Sequence, residues 1–299
     1  ERLARVRTAA EGASAEEREL AELDGAIRQA VAEASGRPVF ALDLHSTSGP
    51  GPAFAVLHDA LANRRFARSL PLPAVLGLEE ELSGTLTDYL TESGIRAVSV
   101  ETGQHRDPDS AARAEAAIWL VMELAGLLPA GFADELAAAR SQLEREGHGL
   151  PAIVEVCYRH AIPENDGFRM RPGYASFQPV RVGEPLATQD GAAVPAPFAG
   201  YLLMPLYQTL GNDGFFMTRP VHPAWLALSA VLRRLRPERF LHWLPGVERA
   251  PDPTGAFVVD RRIARWLVPE LFHLLGFRRQ ERSSRHYLMA RRRGDRPAS

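Results

Sequence analysis

Lysine is missing from this chain: all 35 basic residues among its 299 are arginine. Schiff-base chemistry, Walker-type phosphate loops and biotinylated or lipoylated carriers each need a lysine amine, so none of them describes this protein. Cysteine is nearly missing too. Cys157 stands alone, which excludes an internal disulfide and any CxxC zinc ribbon. It lies in a short apolar run with no helix start beside it, which reads as a packing residue rather than a nucleophile. No apolar run reaches the roughly 20 residues of a membrane span. The opening residues lack the basic-then-apolar layout of a secretory leader, and a cytoplasmic location is the default expectation. The sequence also contains no GxSxG elbow, no GxGxxG fingerprint and no HExxH pair.

What is present suits a globular protein of about two domains, with 45% hydrophobic and 24% charged residues. The net charge of −2 hides an asymmetry. Residues 220–299 carry 16 Arg against 7 acidic residues, a net of +9, and residues 1–219 carry −11. A basic tail on an acidic body can bind an anionic partner or dock on its own body.

Along the chain, Ser14-Ala15-Glu16-Glu17 reads as a capping box. Leu20, Leu23, Ile27 and Val31 follow on one helical face. Residues 39–45 form a short apolar run of the buried-strand type, and a Gly/Pro-rich loop follows at 46–52. Further expected elements are a strand over 54–58, helices over 59–69 and 85–92, and a strand over 95–100 that runs into Glu101-Thr102-Gly103. A long Ala-rich helix capped by Asp109 or Ser110 comes next, then a polar helix over 133–146. Strands alternating with helices predict an α/β fold with a largely parallel sheet flanked by helices. From residue 153, turns at Asn165-Asp166-Gly167, Pro172-Gly173, Gly183, Asp190-Gly191 and Gly200 predict a small β domain. After Pro220 the chain reads as mainly helical, with Trp225, Trp243 and Trp266 among arginines. The resulting domains are 1–148, 149–219 and 220–299.

His45 and Glu101 end their apolar runs, where ligands collect in such sheets. Asp43 and His45, two apart on a strand, share a face. An imidazole oriented by a carboxylate suits a zinc ligand with its supporting partner, and a hydrogen-bonded structural histidine is the competing reading. Glu101 is equally a general base or a capping residue.

Taken together, Asp43-Leu44-His45-Ser46-Thr47, the strand closing on Val100-Glu101-Thr102-Gly103 and the Gly/Pro-punctuated β segment resemble the succinylglutamate desuccinylase/aspartoacylase family of the zinc carboxypeptidase clan. In the β segment the resemblance is carried by Val182-Gly183-Glu184-Pro185-Leu186, Ala196-Pro197-Phe198-Ala199-Gly200 and Pro205-Leu206-Tyr207-Gln208. It covers residues 15–219 and implies a zinc-carboxypeptidase-like α/β fold. It also implies zinc-dependent hydrolysis of an amide bond in an N-acyl amino acid. His45 maps to a zinc ligand and Glu101 to the residue that activates water and then protonates the leaving amine. Thr47 and Tyr207 are candidates for substrate contact.

The family's other two zinc ligands come from a His-x-x-Glu motif upstream, and no histidine precedes His45 here. The upstream Asn-Arg motif is absent as well, and Asn63-Arg64-Arg65-Phe66 reads as a solvated helix face. Only Arg96 lies near the place of the family's carboxylate-binding arginine. The chain opens on Glu1 without methionine, so one expectation is that the ligand-bearing first strand lies outside the printed sequence. The other is that Asp43, His105 or His58 substitutes, or that no metal binds. The β segment also resembles biotinyl/lipoyl carrier domains, a reading that fails for want of lysine.

The expected partner is a small acylated amino acid or amide. No membrane is expected, nucleic acid at the Arg-rich tail is disfavoured against docking on the acidic body, and a homo-oligomer stays open. A metal-free relative that binds acylated amino acids without turnover, and a protein binding an anionic partner through the tail, are the rival readings.

Overall fold

The structure is a computed structural model and describes residues 14–82, 84–162, 167–235, 237–250, 256–260, 262–263, 272, 274–281 and 286–291. The Asn165-Asp166 turn, Trp266, Arg261 and Arg292-Arg293 lie outside these residues. The chain forms two compact units, residues 1–40 and 41–299.

In the first unit, helix α1 (Ala15–Glu33) starts on the expected capping box. Ser14 Oγ accepts from the Glu17 N–H at 3.2 Å, and Glu17 Oε2 accepts from the Ser14 N–H at 2.8 Å. The predicted apolar face is not a buried one. Leu23 is 44% and Val31 38% exposed, and Asp24, paired with Arg28, is the buried residue of this helix.

The second unit is built on a mixed sheet. Its strands are β1 (Phe40–Thr47), β2 (Phe54–Val56), β3 (Ala74–Leu76), β4 (Arg96–Gln104), β5 (Ile153–Ala161), β7 (Pro179–Val180), β10 (Gly200–Leu203) and β11 (Asp213–Pro220). The order is β1-β4-β2-β3-β5-β11-β10-β7. β2–β3 and β3–β5 are parallel and β2–β4 antiparallel. Contacts between β1 and β4 climb both strands in the same sense, from Asp43 with Ser99 through His45 with Thr102 to Thr47 with His105. The α/β part of the sheet is therefore largely parallel, as expected.

Helices α2 (Leu61–Ala67), α4 (Leu86–Glu92) and α5 (Ser110–Leu124) pack on β4, and α6 (Ala133–Gly147) packs on α5. A short helix, α3 (Leu78–Glu81), follows β3. Covered by these helices, β4 is buried from Ala97 to Gly103.

The β-rich segment continues this sheet. β5 pairs parallel with β3 on one edge and antiparallel with β11 on the other, and β10 and β7 extend the ladder. Three further strands, β6 (Arg169–Met170), β8 (Pro185–Gln189) and β9 (Ala192–Pro195), form a separate sheet. Asp190 and Gly191 both take positive φ, 49° and 80°, in the two-residue turn joining β8 to β9, which is the geometry such hairpins prefer. Alternation along β11 joins the two layers. Phe216 packs with Phe54, Val75 and Val154, and its neighbours Phe215 and Met217 pack with Leu186, Ala187 and Leu202. The same alternation corrects the reading of Cys157. On β5, Val154 and Val156 point inward, so Cys157 is left exposed.

The third segment departs from the expectation of a mainly helical extension. Among the described residues, α7 (Pro223–Leu235) and a 3₁₀ helix (Pro237–Trp243) are accompanied by an antiparallel sheet. That sheet consists of β12 (Val247–Arg249), β13 (Phe257–Asp260), β15 (His286–Arg291) and β14 (Phe277–Glu281), paired in that order. Phe257 and Val259 point into a core with Phe272, Phe277 and Met289. This two-residue period was hidden in sequence by the abundance of arginine around it. Among the described residues, no helix is long and apolar enough to cross a membrane.

A buried cation ties this segment to the α/β body. Arg233 of α7 donates to Asp59 Oδ2 at 2.6 Å and to the Asp59 carbonyl at 2.7 Å, and Arg64 of α2 bonds the same carboxylate through Nε at 2.5 Å and Nη2 at 3.0 Å. Asn63 beside it is wholly internal. It donates to the His58 carbonyl and Thr91 Oγ1 and accepts from the Ala97 N–H. Within the Asn63–Phe66 stretch only Arg65 faces solvent, because α2 is covered on one side by β4 and meets α7 at Leu226 on another. Losing Arg233 leaves the buried Asp59 carboxylate with one cation, Arg64, in place of two. Arg233→Leu is expected to lower unfolding free energy by about 3 kcal/mol, read as a lower denaturation midpoint. The double variant Arg233→Leu, Asp59→Asn is expected to lose more still, because Arg64 then lacks its carboxylate.

Candidate active site

β1 and β4 are neighbours in the sheet and bring the candidate residues together. Asp43 and His45 occupy one face of β1, and Ser99 and Glu101 share a face of β4. The His45 Nε2 to Asp43 Oδ2 distance is 2.8 Å, and Ser99 Oγ donates to the same carboxylate oxygen at 3.3 Å. The bond to His45 holds the Asp43 carboxyl below its ordinary value, against burial that pushes the other way. The same bond raises His45 above its ordinary value, with the charges of Asp43 and Glu101 adding to the effect.

Glu101 is buried, and its Oε2 has no hydrogen-bond partner. Burial pushes its carboxyl up to about 7, with the Asp43 charge adding and the His45 charge opposing. A carboxylic acid poised near neutrality, next to a histidine oriented by a second carboxylate, is able both to accept and to return a proton at pH 7.

The backbone around Glu101 is held by an arginine that sequence reasoning overlooked. Arg113 of α5 donates to Glu146 Oε1 at 2.7 Å, to Asp107 Oδ2 at 2.6 Å and to the Thr102 carbonyl at 3.2 Å. Glu146 Oε2 in turn accepts the Ala53 N–H at 3.0 Å. Gly103 has φ of +118°, and a Cβ there would stand 2.7 Å from Arg113 Nη1. Glycine is needed at that position both for its backbone angle and for this close approach. The expected cap at α5 differs in detail. Asp109 is the N-cap residue but its side chain makes no cap bond, and Ser110 Oγ instead meets Thr102 Oγ1 at 2.7 Å.

The remaining candidates lie along the rim. Thr47 is buried, with its hydroxyl donating to the Gly49 carbonyl at 2.8 Å. His105 is exposed. Its Nδ1 is 2.9 Å from Ser46 Oγ, its Nε2 is 3.4 Å from Gln208 Oε1, and its N–H donates to the Thr47 carbonyl. Tyr207 meets the loop after β1 through its N–H on Ser48 Oγ at 3.2 Å. Its phenol accepts the Tyr174 N–H and faces the Arg171 and Tyr174 carbonyls at 2.8 and 3.0 Å, fastening the turn between them. Arg96 opens β4 five residues before Glu101, about 17 Å along the strand. His58 is buried beside Asp59, on the α2 side of the fold. Cys157 is pushed up to about 11 by desolvation and by the nearby Glu155 carboxylate, so no thiolate forms there at neutral pH.

These residues do not compose a three-ligand zinc site. Asp43 and His45 are bonded to each other and His105 is turned to Ser46 and Gln208, and among the described residues no group of three His, Cys, Asp or Glu side chains is placed to share a cation. A catalytic zinc takes three protein ligands.

No protein-family model matches the chain, and no curated protein matches it. Solved structures do show similarity. A succinylglutamate desuccinylase from Vibrio cholerae is similar at 18% identity and a TM-score of 0.47, over 72% of this chain and 63% of that one. The product-bound ectoine utilization protein EutE from Ruegeria pomeroyi gives 20% identity and a TM-score of 0.43, over 60% and 56%. A mutant of murine aminoacylase 3 gives 17% and 0.41, over 71% and 72%. The chain spans less than two thirds of the length of the first two.

The upward shift of the Glu101 carboxyl links to stability. A carboxyl whose folded value exceeds its unfolded one stabilises the fold while protonated, and that contribution is lost as pH rises from about 4.5 through about 7. Glu101→Gln keeps the shape and removes the charge. The variant is expected to be more stable than the parent by about 3 kcal/mol at pH 8, with the gap closing near pH 4, as read from urea denaturation at both values.

Proposed function

We propose that this chain hydrolyses an amide bond of an N-acyl amino acid or a related small amide, with Glu101 as its general base and acid. The observation that carries the reading is the buried Glu101 carboxyl, raised to about 7 with one oxygen unpaired, beside the Asp43–His45 pair. Glu101 takes a proton from water as the water oxygen bonds to the carbonyl carbon. When the C–N bond breaks, Glu101 returns that proton to the departing amine nitrogen, giving a carboxylate and a free amino acid. His45, whose protonated form the bond to Asp43 favours, is the donor beside Glu101 for the developing oxyanion. Arg113 and Gly103 hold the strand end so that Glu101 does not drift. The order of Asp43-Leu44-His45 and Glu101-Thr102-Gly103 along the chain supports this reading.

Zinc belongs to the family that this order resembles. His45 is the residue that would face it, but the described residues supply no complete ligand set, so no step above depends on the metal. Cytoplasmic residence and the division at residues 148 and 219 also stand as proposals.

A panel of N-acetyl and N-succinyl amino acids, assayed for released amine, tests the reading. Glu101→Gln is expected to lower kcat about a thousandfold while KM changes little, and Asp43→Asn to lower it less. Residual turnover within twofold of the parent in Glu101→Gln would remove Glu101 from the chemistry. Repeating the assay with added zinc and with a chelator shows whether the parent chain recruits the metal from solution.

A further inference from the structure

Away from Glu101, under α2 and α7, the unit holds a cavity of about 290 Å³. Leu57, Leu70, Leu76 and Ile153 line it from the body and Leu226 closes it from α7, with Arg64 and Arg68 the charged residues of its wall. The two arginines differ. Arg64 is committed to Asp59 through two nitrogens and reaches the Leu226 carbonyl with the third at 3.4 Å. Arg68 follows α2, is exposed, and its guanidinium engages no carboxylate among the described residues.

A pocket of this size, open to solvent on one side, leaves its aliphatic lining against water instead of packed side chains. An aliphatic lining gives water nothing to bond. The volume is about twice the roughly 150 Å³ of an engineered apolar cavity that holds the six carbons of benzene. It also lies at the low end of small-molecule sites, at about 300 Å³. An aliphatic chain fills such a space, and a single cation at the mouth selects an anionic head. A cationic head would meet two guanidinium groups, and a dianion would find only one of them uncommitted.

We propose that this cavity binds a saturated aliphatic monocarboxylate of about eight to ten carbons, its chain among Leu57, Leu70, Leu76, Ile153 and Leu226 and its carboxylate on Arg68. The bound chain bridges α2, β3 and α7, so it adds contacts across the junction that Asp59 and Arg233 hold together. The inference stands apart from the amide-hydrolase reading, since it uses none of the β1–β4 residues.

Octanoate and decanoate, held below their micelle concentrations, are titrated into the full chain by calorimetry and thermal denaturation, with butanoate and decylamine as controls. Decanoate is expected to bind and to raise the melting temperature, and butanoate and decylamine to do neither. Arg68→Gln, a surface change, is expected to weaken decanoate about tenfold, the effect of losing one charge-assisted bond. Leu226→Trp, which fills the space from α7, is expected to abolish binding, with circular dichroism confirming the fold. Glu101→Gln is expected to leave binding unchanged. Absence of decanoate binding to the parent overturns the proposal. So does binding that survives in Arg68→Gln at parental strength, or binding that is lost in Glu101→Gln.

Discussion

Three contacts climb the seam between β1 and β4: Ser99 to Asp43, Thr102 to the His45 carbonyl, and the His105 N–H to the Thr47 carbonyl. The rest of the site depends on this register. In a strand pair every second residue shares a face, so a slip of one residue would turn Glu101 to the opposite side of the sheet from His45. The register is protected by burial, because β4 is covered on both faces and a slip would carry Ser99 and Glu101 to the side that Val98 and Val100 now fill. The acidity of Glu101 follows from that burial. The force that fixes the strand in place also keeps its carboxyl protonated to neutral pH.

Arginine supplies the cations of this fold, and it does so in geometric rather than merely electrostatic ways. Arg113 gathers a strand carbonyl, a loop carboxylate and a helix carboxylate at one point, and Arg233 and Arg64 converge on Asp59 from two helices. A planar fork with five donors meets such divergent acceptors, and a lysine ammonium would not. A buried lysine also gives up its proton when desolvated, whereas a guanidinium keeps it.

Local signals in the sequence were reliable, and contacts between distant residues were not. The capping box at Ser14, the strands at Phe40 and Arg96, the Ala-rich helix and the Asp190-Gly191 turn are written within a few neighbouring residues, and each forms where local chemistry places it. The pairing of Asp43 with His45 was readable because both lie on one strand. Arg113 with Glu146 lies 33 residues apart and Asp59 with Arg233 174 apart, and no spacing rule connects them. The stripe on α1 and the Asn63–Phe66 stretch misled because periodicity reports which residues share a face and not what covers that face. The C-terminal sheet was missed because three-to-six-residue strands set among arginines give too short a period-two signal.

The strand β5 belongs at once to the parallel ladder with β3 and the antiparallel ladder with β11. The β-rich segment thus shares its first strand with the α/β sheet. Cutting ahead of β5 would bare a row of hydrogen-bonding groups on β3, an edge of the kind that recruits foreign strands. Diversity in such an architecture has to come from the loops at its rim, where Ser48, Tyr207 and Gln208 already meet, while the sheet beneath passes between generations as one piece.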